Sequence, residues 1–157
     1  MSVFVTEVRP RWSDMDAFGH VNHANMVTLL EEARVELLFA DAAHNGTLDL
    51  AHGVVVARLA VDYHTPLVVN GDIVRVEVRA RDLRAASFTL DYTVHSGARS
   101  DSAIIATAET LMVPYDLAAA RPRRLTAGER SFLARYRSET VTPETVTSDG
   151  ASDGQDA

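Results

Sequence analysis

Asp14, Asp16, His20 and His23 lie within ten residues, in the run Trp12-Ser13-Asp14-Met15-Asp16-Ala17-Phe18-Gly19-His20-Val21-Asn22-His23-Ala24-Asn25. Two carboxylates and two imidazoles this close offer a nucleophile or a general base at one spot. The run ends a strand-like segment and opens a long amphipathic stretch, so it is expected at a helix N-terminus. Free backbone N–H groups and the helix dipole stabilise a developing negative charge there. The pattern therefore suits attack on a carbonyl whose oxygen must be held as an anion.

Each residue also has a plainer role. Asp is common in turns and caps before helices, which is the structural alternative for Asp16. Asp14 is expected to cap the turn or to meet an arginine. His20 either gates a pocket or packs; the plainer role of His23 is a solvated first-turn residue, and its backbone N–H carries more weight than its ring. The four residues match no HExxH-like spacing, and the chain has no cysteine, so no metal site is expected. His64 and His95 fall in strand patterns and read as ordinary strand residues.

The elements that must position this run follow from periodicity. Residues 3–12 alternate as a first strand, with Pro10 near its end. A helix is expected from about His23 to Ala42, capped by Asn22, with Met26, Leu29, Leu30, Ala33, Leu37 and Ala40 along one face. From Val54 the period changes to two. Strands are expected over Val54–His64, Val74–Arg81, Phe88–His95 and Ile104–Val113, the last stopped by Pro114. Thr126 and Glu129 have capping-box spacing for a short closing helix with Phe132, Leu133 and Tyr136. The order predicts an α+β domain over 1–137 in which a five-stranded antiparallel sheet curls around one long central helix. Residues 138–157 read as an acidic disordered tail. One helix leaves part of such a sheet uncovered, which predicts self-association.

Composition narrows the partners. The formal net charge is −7, but five of the 22 acidic residues follow Arg137 and no base does. The body therefore holds 17 acids against 15 bases, a net of −2. That gives no electrostatic footprint for nucleic acid or an anionic membrane. No apolar run is long enough to span a bilayer, and no basic stretch followed by an apolar run opens the chain. A cytoplasmic location is the expectation. All 15 basic residues are arginine, so a phosphate must be met by arginine or backbone N–H.

Asp14-Met15-Asp16-Ala17-Phe18-Gly19-His20-Val21-Asn22-His23-Ala24-Asn25, followed by a helix with Glu31, Glu32, Ala33 and Arg34, resembles the hotdog-fold acyl-CoA thioesterases of the 4-hydroxybenzoyl-CoA thioesterase-like family. Asp62-Tyr63-His64-Thr65-Pro66 with Gly71-Asp72, and Asp82-Leu83-Arg84 leading to Ser87-Phe88, add to the likeness over roughly residues 3–115. The resemblance implies the hotdog fold and hydrolysis of acyl-CoA to a carboxylic acid and CoA. It places the catalytic carboxylate on Asp16 and the carbonyl-polarising N–H on His23, and takes Asn25 as support for the loop. It further implies a homodimer joined edge to edge, often paired into a homotetramer, with the site at the subunit boundary. CoA is then part of the substrate and no cofactor is expected. Arg81 and Arg84 near the hairpin, and more weakly Ser87, are candidates to hold CoA phosphates, with a solvated charged turn an alternative of at least equal weight; Arg84 and Ser87 are the two taken as CoA-binding. A thioester suits this chemistry because its carbonyl is electrophilic and its thiolate leaves readily. Two other readings remain: a non-catalytic acyl-CoA-binding protein of the same fold and, last, a hotdog dehydratase or hydratase.

Overall fold

The computed structural model describes residues 2–47 and 49–138. The tail expected over 138–157 lies, apart from Ser138, outside the described residues. Five strands form one antiparallel sheet: β1 (Phe4–Val8), β2 (Val54–Tyr63), β3 (Val74–Arg81), β4 (Phe88–His95) and β5 (Ile104–Asp116), in the order β1-β3-β4-β5-β2. A two-residue β6 (Arg121–Pro122) pairs with the end of β5. The sheet curls around a central helix that starts at His23. This is the hotdog architecture.

Alternation builds the core as expected. Val74, Val76, Val78 and Ala80 of β3, with Phe88, Leu90, Tyr92 and Val94 of β4, are buried against Met26, Leu29, Leu30 and Ala33 of the helix. Truncating a fully buried leucine such as Leu30 to alanine is expected to cost about 2–5 kcal/mol. The central helix is not uniform. Residues His23–Val35 are α-helical, Glu36–Asp41 form a π-helical turn, and Ala42–His44 complete the rod. The π-turn inserts a residue into the helical repeat. Downstream of Leu37, the core therefore receives Leu38 and Ala42, and Ala40 stays partly exposed.

Two strand ends differ from the sequence expectation. β1 stops at Val8, its last partner being Val74. β5 runs through Pro114 to Asp116. Pairing of β4 with β5 ends at Phe88–Met112, so beyond that point β4 requires no N–H from Pro114, and the Pro114 carbonyl accepts from Arg123 N–H at 3.0 Å. The start of β2 presses on the same segment. Gly53 N–H donates to Leu50, its carbonyl accepts from Tyr115 N–H, and a Cβ at Gly53 would overlap the Tyr115 carbonyl.

Register fixes the two ends of the sheet. Val8, Val74, His95, Ile104 and Tyr63 are at one end, and Val54, Arg81, Phe88 and the last residues of β5 are at the other. The eight residues of β3 span roughly 25 Å between them. Strand β2 is a sheet edge with Val55, Val56, Leu59 and Tyr63 exposed, and Val35 and Phe39 of the helix are exposed as well.

The closing helix, Ala127–Ala134, begins with the anticipated capping box: Thr126 Oγ1 accepts from Glu129 N–H and Glu129 accepts from Thr126 N–H. Glu129 is fully buried and bound by both arms of Arg123 at 3.0 and 2.7 Å.

Candidate functional site

The run from Arg11 to Asn25 folds as a braced loop at the first end of the sheet. Asp14 sits in its centre, buried. Its carboxylate accepts from Arg11 N–H at 2.7 Å and from the Arg11 guanidinium at 3.2 Å through both oxygens. Burial pushes the Asp14 carboxyl up, but the hydrogen bonds and charge of Arg11 outweigh it and hold the group below its ordinary value. Asp14 thus meets an arginine, as expected. Its carbonyl accepts from Asn22 N–H at 2.8 Å and from Asn25 Nδ2 at 3.1 Å, so Asn25 ties the helix back to the loop.

Asp16 opens a tight reversal within this loop. Its N–H donates to the His20 carbonyl at 2.8 Å, and Gly19, in the left-handed region at φ +78°, donates back to the Asp16 carbonyl. Oδ1 of Asp16 accepts from Phe18 N–H at 2.9 Å and His20 N–H at 3.3 Å. Oδ2 has no hydrogen-bond partner among the described residues, and the side chain is half-buried. One carboxylate oxygen holds the turn and the other is open to a water or a substrate.

His23 is the first residue of the central helix. Asn22 caps it by accepting from Ala24 N–H at 2.9 Å, which leaves His23 N–H without an acceptor among the described residues. The second motif packs beside it. Val21 N–H donates to the Leu67 carbonyl at 2.8 Å, and His20 bridges to Val68. The phenol of Tyr63, at the end of β2, donates to the His23 carbonyl at 2.6 Å. Burial pushes that phenol's pKa up. Val21, Met26, Tyr63, His64, Pro66 and Leu67 line a cavity of about 230 Å³ beside the helix start. The sequence assigned Tyr63 no role: a tyrosine in a strand pattern carries no local sign that its hydroxyl reaches a helix forty residues earlier.

Arg84 and Ser87 lie elsewhere, on the β3–β4 hairpin at the opposite end of the sheet. They line a cavity of about 220 Å³ with Arg58, Arg81, Thr89 and Glu109. Arg81 is committed there to Asp82, Asp91 and Glu109 at 2.6, 2.7 and 2.5 Å, which leaves it poorly placed to hold a phosphate. Arg58 pairs with Glu109 at 2.9 Å. Arg84 has no carboxylate within 4 Å among the described residues. One chain thus keeps Asp16 and His23 at one end of the sheet, neither of them lining the cavity beside the helix start, and leaves Arg84 and Ser87 at the far end. Among the described residues no three His, Asp or Glu side chains converge as a metal site, and no helix is long and apolar enough to cross a membrane.

The profile of the thioesterase-like superfamily matches residues 10–141, from the site loop to beyond the closing helix. The chain belongs to this superfamily. One superfamily relative, the acyl-CoA thioester hydrolase YbgC of Escherichia coli, is 27% identical over 138 residues, covering 87% of this chain and 97% of the relative. Solved structures share the fold. The probable thioesterase YbaW of Escherichia coli aligns with a TM-score of 0.69 at 24% identity, over 85% of this chain and 98% of that one. A thioesterase from Thermus thermophilus, solved in complex with coenzyme A and zinc, aligns with a TM-score of 0.65 at 28% identity, over 85% and 92%.

Proposed function

We propose that this protein is an acyl-CoA thioesterase that uses Asp16 as its carboxylate and the N–H of His23 as its oxyanion donor. The observation that supports this is that Asp16 Oδ2 and the helix-first N–H of His23, carried on one hydrogen-bonded segment, both lack a partner among the described residues. Asp16 takes a proton from water, and the hydroxide adds to the thioester carbonyl. The oxygen anion rests on His23 N–H, and collapse releases the carboxylic acid and the CoA thiolate. In the other available course Asp16 attacks directly and a mixed anhydride is then hydrolysed. YbgC, similar over nearly its whole length, is named for this reaction.

A second copy completes the site in this reading. Antiparallel pairing of two β2 edges turns one protomer end over end relative to the other. The partner's β3–β4 hairpin then stands at the same end of the joined sheet as this chain's Asp16. Arg84 and Ser87 of one copy therefore serve the nucleotide of a CoA whose thioester lies at Asp16 of the other. The exposed Val55, Val56 and Leu59 support this edge as the contact.

The test is thiol release from short, long, branched and aromatic acyl-CoAs by wild type, Asp16→Asn and Asp16→Ala. Turnover by wild type that disappears in folded variants is the expected result; undiminished turnover removes Asp16 from the mechanism. The two bonds from Oδ1 to its own loop equally suit a purely structural carboxylate, in a non-catalytic acyl-CoA-binding protein. Binding without hydrolysis over long incubation selects that reading.

A further inference from the structure

Three consecutive carbonyls of the β3–β4 hairpin are held by one segment near the C-terminus. Arg130 Nη1 donates to the Leu83 carbonyl at 2.8 Å and Nη2 to the Arg84 carbonyl at 2.7 Å, and Leu125 N–H donates to the Ala85 carbonyl at 2.9 Å. The turn itself is tight: Asp82 is left-handed at φ +49°, and Arg84 N–H donates to the Ser87 carbonyl at 2.9 Å. A hairpin tip fixed only by its own turn is free to rock. Here the closing helix supplies a two-pronged donor to its backbone, and that helix is itself anchored by the buried Glu129–Arg123 pair and by Phe132 and Leu133 in the core. The carbonyls of 83–85 are drawn towards the closing segment, while Arg84 and Ser87 are among the residues that line the cavity on the sheet.

We infer that Arg130 is a positioning residue for nucleotide recognition. It acts through the Leu83 and Arg84 carbonyls to aim the Arg84 guanidinium at the phosphates of CoA. The inference rests on the thioesterase reading above and adds the closing helix to the substrate-binding apparatus. A planar guanidinium suits the task because its two arms grip adjacent carbonyls in a fixed geometry, which an ammonium does not reproduce. Its positive charge, close to Arg84, also favours an anion at the hairpin. The ligand chemistry is a ribonucleotide bearing phosphates, joined to an uncharged pantetheine arm that the hairpin does not read.

The experiment is calorimetric titration of wild type and Arg130→Ala with CoA and, separately, with pantetheine, which lacks the nucleotide. We expect CoA affinity to fall roughly tenfold in the variant, and pantetheine affinity to hold within about twofold. Arg130→Lys is expected to recover only part of the loss. In an Arg84→Ala background, adding Arg130→Ala is expected to change CoA binding no further, because the effect passes through Arg84. A merely structural Arg130 weakens CoA and pantetheine alike, and that result, or unchanged CoA affinity, overturns the inference. Arg130→Lys and Arg130→Gln carry the same comparison should the alanine variant not fold. A wild-type protein that ignores CoA defeats the thioesterase reading itself, whereas wild-type binding that survives in Arg130→Ala defeats only the positioning role.

Discussion

The phenol of Tyr63 donates a 2.6 Å hydrogen bond to the main-chain oxygen of His23, joining the end of an edge strand to the first turn of the central helix. The bond restrains the peptide group that follows His23, one plane along the chain from the His23 N–H. Replacing Tyr63 with phenylalanine keeps the ring and removes the tether. We expect a stability loss of about 1 kcal/mol and a fall in kcat of roughly fivefold or more with KM little changed. Steady-state kinetics and thermal melting check both, and a variant with wild-type kcat shows that turnover does not depend on the tether.

Asp16→Asn separates charge from architecture. An asparagine oxygen still accepts from Phe18 and His20 N–H, so the turn is kept while the anion is lost. The expected outcome is a melting temperature within a few degrees of wild type and a loss of turnover of roughly a hundredfold or more.

Asp14 predicts a pH dependence of a different kind. Burial raises its carboxyl, but Arg11's hydrogen bonds and charge prevail, so its pKa in the folded chain lies below the ordinary aspartate value. A group depressed on folding contributes stability that is fully present above its unfolded pKa and lost as pH falls through the folded one. Asp14→Asn is therefore expected to cost about 2 kcal/mol at neutral pH, with the gap to wild type closing below about pH 4. Urea melts at pH 7 and pH 3 measure it; a gap that persists unchanged at pH 3 contradicts the assignment.

Gly53 has no room for a side chain, because its α-carbon faces the backbone carbonyl of Tyr115. Neither backbone yields cheaply. Gly53→Ala is expected to destabilise the fold by about 3 kcal/mol or more, read as a lower urea midpoint with hydrogen exchange rising first where β2 meets the end of β5.

Leu59→Arg tests the edge-to-edge pair. The side chain is 38% exposed on β2 in the single chain, so the substitution leaves the monomer core intact and sets like charges against each other across a two-fold contact. Sedimentation is expected to show a monomer, with acyl-CoA turnover lost because Asp16 and the partner's hairpin no longer share an end. A dimeric Leu59→Arg variant relocates the interface.

Much of the fold was legible because its cues are local. Alternation in Val74–Arg81 and Phe88–His95 gave the sheet's middle, Asn22 and Thr126 gave helix starts, and the crowding of Asp14, Asp16, His20 and His23 gave the loop. The misses have long-range or contextual causes. Pro114 ends a strand only where a neighbour requires its missing N–H, and at that position β4 has already stopped. Tyr63 meets His23 across 40 positions, and Arg130 meets Leu83 and Arg84 across 47 and 46. Neither pairing leaves a trace in the residues beside it. The separation of Arg84 from Asp16 was equally hidden, since it follows from strand register and not from either motif.

The π-turn at Glu36–Asp41 shows how a helix stays in mesh with a surface that rotates beneath it. A sheet turns by roughly 20–25° from strand to strand, so a single stripe of contacts would slide off the rod's flank before its end. The extra residue acts as a slip joint, resetting the stripe from Leu37 to Leu38 and Ala42. The half of the helix that begins at His23 keeps its own phase, and the geometry of its first turn is decoupled from the fit at the far end.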